Sequence, residues 1–358
     1  MKKSHALGLA AVAASAALIS ACSAPATSGS PAASSGGDGP FTIGVSNAFV
    51  ASEYRTQMID AIEQTFDEYK AEGVVDKLVM ENADADVNGQ IQQIRNLINQ
   101  GVDAIIVDPN SATALSAVFD EAISQGITVI AIDQAVDSPD VLNVGISQQD
   151  LGAASAEWFA SAVGDGASIV TVEGAAGNPA TDARWAGAEP VFAEHNIEVL
   201  THGDGGWDQA TGQTVATDLL ATYPNVDGIW TYDGMAQGVL RAVEAADKTD
   251  SVTVGGEARV GFLRMWTDLV DSGSDFASVG VINPPGTGAT ALHFAINLLQ
   301  GKELDQSKVT DGHSIILPLD TPVTNDNLAD TWAGVSDQAD TYVLDSILSA
   351  DEVAQYFQ

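Results

Sequence analysis

The side chains best suited to chemistry in this chain stand just after short apolar runs. In the first half these are Asn47 and Phe49, Asn82, Asp108 with Asn110, and Asp133 with Gln134. In the second half they are Gly174 to Asn178, Asp204, Trp207, Asp233, Glu257 and Asn283. Two arginines, Arg55 and Arg184, fall near the starts of helical patterns. Carboxylates, amides and guanidiniums can each engage neighbouring hydroxyls in pairs, because a hydroxyl both donates and accepts. Phe49 and Trp207 add flat apolar surface on which the less polar face of a ring can pack. Such a set suits a sugar. Taken singly, each residue has a plainer account: Asp and Asn after a strand are common helix caps and turn formers, and Phe49 or Trp207 could be core. The grouping across both halves is what favours a ligand.

Several chemistries lack their residues. "GAAGN" at 174–178 does not have the glycine spacing of a dinucleotide loop, and no Gly-x-Ser-x-Gly elbow occurs. His195, His202, His293 and His313 are scattered and form no Ser/His/Asp set. Cys22 is the sole cysteine, which excludes an internal disulfide and a cysteine-rich metal site. No catalytic residue, metal or cofactor is therefore expected. The chain carries 49 acidic against 13 basic side chains, a formal charge of −36. Nucleic acid is excluded as a partner, since its phosphates would be repelled.

Elements that could position these residues follow from the hydropathy pattern. From Phe41 onward, short buried-strand runs such as "FTIGVS" (41–46) and "AIIVD" (104–108) alternate with amphipathic helical stretches. Met58, Ile59, Ile62 and Phe66 recur at helical spacing, as do Ile91, Ile94, Leu97 and Ile98. Alternation of this kind implies βαβ units and parallel sheets. "VDAIIVDPN" (102–110) and "VDGIWTYDG" (226–234) are similar, and each leads into a helix and another strand. The pattern predicts two lobes of one α/β architecture, each a doubly wound parallel sheet, with ligand in the crevice at the carboxyl ends of the strands.

The N-terminus predicts export. Lys2 and Lys3 precede an apolar run from Ala6 to Ile19, too short to span a bilayer comfortably but long enough for a secretory signal. It ends Ile19-Ser20-Ala21-Cys22, a pattern that resembles the bacterial lipobox. Residues 1–21 are thus expected to be a lipoprotein signal peptide, with lipidation at Cys22. Residues 22–40, rich in Ser, Ala, Gly and Pro, are expected to be a flexible tether.

"IGVSNAFVASEYRTQM" (43–58), "QIQQIRNLINQGVDAIIVDPNS" (90–111), "GITVIAID" (126–133) and "PNVDGIWTYDGMAQGVLRA" (224–242) resemble the sugar-specific substrate-binding proteins of ABC importers, of the ribose- and galactofuranose-binding type. The resemblance implies the type I periplasmic-binding-protein fold, in which three hinge crossovers join the lobes. It places the first crossing after Asp133, the second near Asn283 and the third near the end of Gly301–Ile316. The first lobe is then 41–134 plus 284–312, and the second 135–283 plus 313–358. Sugar contacts implied by position are Asn47, Phe49, Arg55, Asp108, Asp133, Arg184, Asp233 and Asn283. Tyr54 stands where another aromatic, often Trp, is usual, and Glu257 where Asp is usual. With Asn110 and Trp207 from the strand-end reading, these complete the expected ligand set.

The partners implied are a small sugar, a membrane ABC permease and the membrane itself through a lipid anchor, the chain being a monomer at the outer face of the cytoplasmic membrane or in the periplasm. Two alternatives remain at this stage. The same importer role could serve an amino acid, a nucleoside or a signalling furanone, and an enzyme could be built on the same fold. A repressor sharing this architecture is rejected, because a signal and tether occupy the place of a DNA-reading helix pair.

Overall fold

The computed structural model describes residues 37–47, 49–50, 52–84 and 86–358. The signal, Cys22 and most of the tether lie outside the described residues. Pro31–Gln358 forms a compact unit by itself.

The first half of the chain forms β1 (Phe41–Asn47), α1 (Glu53–Ala71), β2 (Val75–Asn82), α2 (Val87–Asn99), β3 (Ala104–Asp108), α3 (Ser116–Ser124), β4 (Thr128–Ile132) and β5 (Leu142–Ile146). The second half repeats the scheme with α4 (Gln148–Val163), β6 (Ser168–Glu173), α5 (Pro179–Glu194), β7 (Glu198–Asp204), α6 (Gln209–Thr222), β8 (Gly228–Thr231), α7 (Met235–Ala245), β9 (Thr253–Glu257), α8 (Val260–Asp271) and β10 (Ser278–Val281). After these come α9 (Thr287–Leu299), β11 (Ser314–Leu317), α10 (Leu328–Val335) and α11 (Ala350–Ala354). The strands form two all-parallel sheets, ordered β11-β5-β4-β3-β1-β2 and β10-β9-β8-β6-β7. Every residue of β3 and of β8 is buried, which is why these runs do not alternate and are apolar up to their last residues, Asp108 and Thr231. Two parallel-sheet α/β lobes are thus present, as the pattern predicts.

The similarity between 102–110 and 226–234 has a structural meaning. Asp103 accepts from the Thr42 N–H at 2.7 Å, and Asp227 accepts from the Ser168 N–H at 2.7 Å. Each aspartate precedes the central strand of its sheet and ties it to the strand that opens its lobe. Their backbones repeat the tie, with Asp103 N–H to Thr42 O and Asp227 N–H to Ser168 O both at 2.8 Å.

The lobe boundaries differ from those expected. β5 extends the first sheet, so the chain does not leave that lobe after Asp133. It crosses near Ser147, whose hydroxyl caps α4. The reason is local: Asn143 bonds the backbone of Val136 at both N–H (3.0 Å) and C=O (3.1 Å), turning 135–141 back onto the sheet. The second crossing does run through Asn283, between β10 and α9, which packs on α1. β11 also joins the first sheet, so 313–317 belongs with that lobe. The chain crosses after Leu317, and Val323 pairs with Gly280 of the second lobe. A further passage then follows among the described residues. Val343 pairs with Arg259 of the second lobe, whereas α11 packs on α9 and Phe357 pairs with Leu304 of the first. The C-terminal stretch is shared between the lobes instead of belonging to the second.

Helices α4 and α5 lie unusually close, and this approach places Arg184. A Cβ added at Gly152 would collide with the backbone of Arg184, and one at Gly187 with the carbonyl of Gln149. Alanine ordinarily favours a helix over glycine by about 1 kcal/mol. Gly187→Ala should nevertheless destabilise the protein by about 1–3 kcal/mol, the usual scale of overpacking. Urea unfolding measures this; a gain in stability would show that the helices do not need this contact.

Candidate functional site

The carboxyl ends of both sheets face one cleft, enclosing about 500 Å³ in part open to solvent. Its wall includes Phe49, Tyr54, Arg55 and Asp133 from the first lobe, Arg184, Trp207 and Asp233 from the second, and Asn283 at the second crossing.

Arg55 is the centre of the first-lobe side. The Ser52 hydroxyl caps α1 by accepting from the Arg55 N–H, which fixes where the side chain starts. Its Nη2 lies 3.0 Å from both Asp108 Oδ2 and Asp133 Oδ2. The Tyr54 hydroxyl reaches the other oxygen of Asp133 at 3.2 Å. On the opposite side, Arg184 Nη1 donates to Asp233 Oδ2 at 2.7 Å, and its guanidinium stacks over Tyr232 and Trp207 at 4.8 and 5.4 Å from the ring centroids. Trp207 packs flat on Gly174, where no side chain could fit beneath the ring. Asp133, Trp207 and Asp233 all adopt left-handed backbone, with φ of 63°, 62° and 51°. Residues other than glycine take up this conformation at a cost, and such strain concentrates at functional sites.

The two sides are joined through hinge residues. Arg184 Nε donates to Gln148 Oε1 at 2.8 Å, and Gln148 Nε2 to Asn283 Oδ1 at 3.2 Å. Asn283 Nδ2 then reaches Asp133 Oδ1 at 3.3 Å. One hydrogen-bonded path therefore runs from Arg55 to Arg184 by way of the first two crossings.

Four expected ligand residues stand behind the wall. Asp108 grips Arg55 and accepts from Gln134 at 3.2 Å. Asn47 donates to Asn82 at 2.8 Å, their strands ending in register. The Asn110 N–H is held by Gln90 at 2.9 Å. Glu257 is fully buried and accepts from Arg259 Nε at 2.6 Å. Six wall residues lie outside the expected ligand set: Ser52, Gln134, Asn178, Ala180, Gly234 and Arg259. Gln134 and Asn178 stand in the strand-end stretches already singled out. Gln148, which organises the site without lining it, was also missed. Arg259 carries a signal in the sequence, since it lies two residues past the end of β9. Arg259 also pairs with Glu53 of α1.

Each guanidinium in the wall is matched by carboxylate. Arg55 has Asp108 and Asp133, Arg184 has Asp233, and Arg259 has Glu257 and Glu53. Among the described residues of the wall, no guanidinium lacks a carboxylate partner. Burial pushes the Asp108 carboxyl up to about 7, against the pull of Arg55 and with the help of Asp133. Burial likewise pushes Glu257 up to about 7, opposed by Arg259. The folded state therefore holds these protons more tightly than the unfolded chain, whose carboxyls titrate near about 4. Their stabilisation is complete below about pH 4 and is lost as the pH rises through about 7. Asp108→Asn should flatten the fall in unfolding free energy over that window. Urea titrations at several pH values, compared between variant and wild type, measure it; parallel curves would show that Asp108 is already ionised throughout.

Known proteins share this architecture. The chain is 27% identical to the ribose import binding protein of Bacillus subtilis over 292 residues, covering 81% of this chain and 92% of that protein. It is 28% identical to the D-allose-binding periplasmic protein of Escherichia coli over 270 residues, covering 70% and 86%. An ABC transporter solute binding protein from Bacillus halodurans with bound myo-inositol superposes with a TM-score of 0.70 at 26% identity, covering 84% and 99%. Residues 43–303 match the model of the periplasmic binding protein domain, and with the two-sheet fold and its cleft this makes the chain a member of the periplasmic binding protein family.

Proposed function

We propose that this chain is the extracytoplasmic capture component of an ABC importer, and that it encloses a small neutral sugar or polyol between its lobes. The observation that carries this reading is a set of buried polar atoms in the wall with no protein partner. Arg55 Nε is a donor; Asp233 Oδ1 and Gln134 Oε1 are acceptors. Leaving such atoms unpaired costs about 1–3 kcal/mol each. Hydroxyls answer both kinds at once, since each donates and accepts. Trp207 and the partly exposed Phe49 offer aromatic surface to a ring. The names of the relatives, which speak of ribose, allose and myo-inositol, point the same way.

The alternatives fit less well. An amino acid would need a guanidinium for its carboxylate, and Arg55, Arg184 and Arg259 are already engaged. The family consists of solute-binding proteins, and the site offers partners for hydroxyls rather than an activated nucleophile. Lipidation at Cys22, the tether, docking on a permease and the monomeric state belong to the same reading and rest on the sequence. Among the described residues no helix is long and apolar enough to cross a membrane.

The test is thermal unfolding of Pro31–Gln358 against neutral pentoses, hexoses and inositols, with uronic acids, amino acids and nucleosides beside them. Ligand at about a thousand times its Kd adds about 4 kcal/mol, a shift of several degrees. Stabilisation is expected from neutral polyols alone; a shift only with an amino acid or nucleoside would overturn the sugar. With the active polyol, Asp233→Asn should weaken binding by about tenfold or more, the scale of a hydrogen bond to a charged group. Calorimetric titration measures this, and unchanged affinity would remove Asp233 from the site.

A further inference from the structure

We propose that Glu53 and Gln57 form a latch on α1 that holds the lobes closed, and that Arg259 joins this latch to the pocket. The two residues are four apart and so share one face of the helix. Glu53 pairs with Arg259, which is 3% exposed and comes from the second lobe. Gln57 grips a single residue of the shared C-terminal stretch by both its backbone groups. Its Nε2 donates to Val343 O at 2.9 Å, and its Oε1 accepts from the Val343 N–H at 2.9 Å.

Val343 is itself fastened to the second lobe beside Arg259. The Leu344 N–H donates to Ala258 O at 2.8 Å, and the Val260 N–H to Tyr342 O at 2.9 Å. The same 258–260 turn is therefore held from α1 twice, once directly by charge and once through this short antiparallel pairing. Arg259 lies in the pocket wall and is fixed from behind by Glu257. A movement that parts α1 from this turn must break the ion pair and, with it, either both amide hydrogen bonds of Gln57 or the pairing of 342–344 with the turn. The contacts thus favour the closed arrangement without reference to what the pocket contains, and shift the balance between open and closed forms.

The latch rests on the reading of the lobes as closing around a ligand, but not on the ligand's identity. Its test uses no ligand, so its failure is distinct from a failure of the sugar panel. Small-angle X-ray scattering is recorded on ligand-free Pro31–Gln358 as wild type, Glu53→Gln, and Glu53→Gln with Gln57→Ala. Arg264→Gln serves as the control, since it removes a pair with Asp340 that does not involve α1. The radius of gyration should rise in the single variant, rise further in the double variant, and stay unchanged in the control. Raising salt to about 1 M, where the screening length falls to about 3 Å, should expand the wild type more than Glu53→Gln. Thermal unfolding of each sample verifies that it is folded. Glu53→Gln conserves size at a half-exposed position, so it remains informative if the double variant unfolds. Equal radii in wild type and the folded variants would overturn the latch.

Discussion

A guanidinium can be buried only with its counter-charge, and this constraint shapes the cleft. Removing an ion from water costs several kcal/mol, which is recovered only where partners meet it in good geometry. Arg55, Arg184 and Arg259 are each at most 4% exposed, and each is met by carboxylate. Apart from Glu53 of α1, the partners come from strand ends, where the chain turns at the cleft. Two of them, Asp133 and Asp233, take left-handed backbone there. The sheets, the helix caps and the close approach of α4 to α5 serve to hold three cations and their partners in place.

That constraint also separates what was legible in the sequence from what was not. The alternation of strands and helices is a local pattern, so two parallel-sheet lobes could be read directly. Strand-end residues were legible too, because parallel sheets present their carboxyl ends to ligand. That rule picks out Asp133, Trp207, Asp233 and Asn283, which line the cleft beside the helix-borne Arg55 and Arg184. It did not separate wall from support. Asp108 and Glu257 follow the same rule of position, yet they lie one layer deeper and act on the arginines in front of them. Depth behind a strand end depends on how far each strand runs in its sheet, which hydropathy does not encode.

The features that escaped are tertiary. Strands β5 and β11 have five and four residues and lie at one edge of the first sheet, so neither makes a strong pattern alone. β5 is placed by pairing with β4, and β11 by pairing with β5 across nearly half the chain. Gln148 and Arg259 have the same difficulty. A glutamine at the first turn of a helix is unremarkable until Arg184, Asn283 and Asp133 converge on it. An arginine before a helix becomes informative only once Glu53, far away in sequence, is seen to meet it.

The arrangement divides the energetics of closure into two parts. One belongs to the protein: the contacts between α1 and the 258–260 turn exist whenever the lobes are at this distance. The other needs an occupant, because Arg55 Nε and Gln134 Oε1 on one lobe and Asp233 Oδ1 on the other have no protein partner. A ligand that satisfies only one lobe leaves an unpaired buried atom on the other, whereas one that reaches both relieves the whole cost. Gln148 and Asn283 sit at the crossings and hydrogen-bond to Arg184 and Asp133, so the crossings are tied to residues of the cleft wall. Selectivity then follows from closure: a molecule with hydroxyls in the wrong places binds one lobe and fails to complete the other.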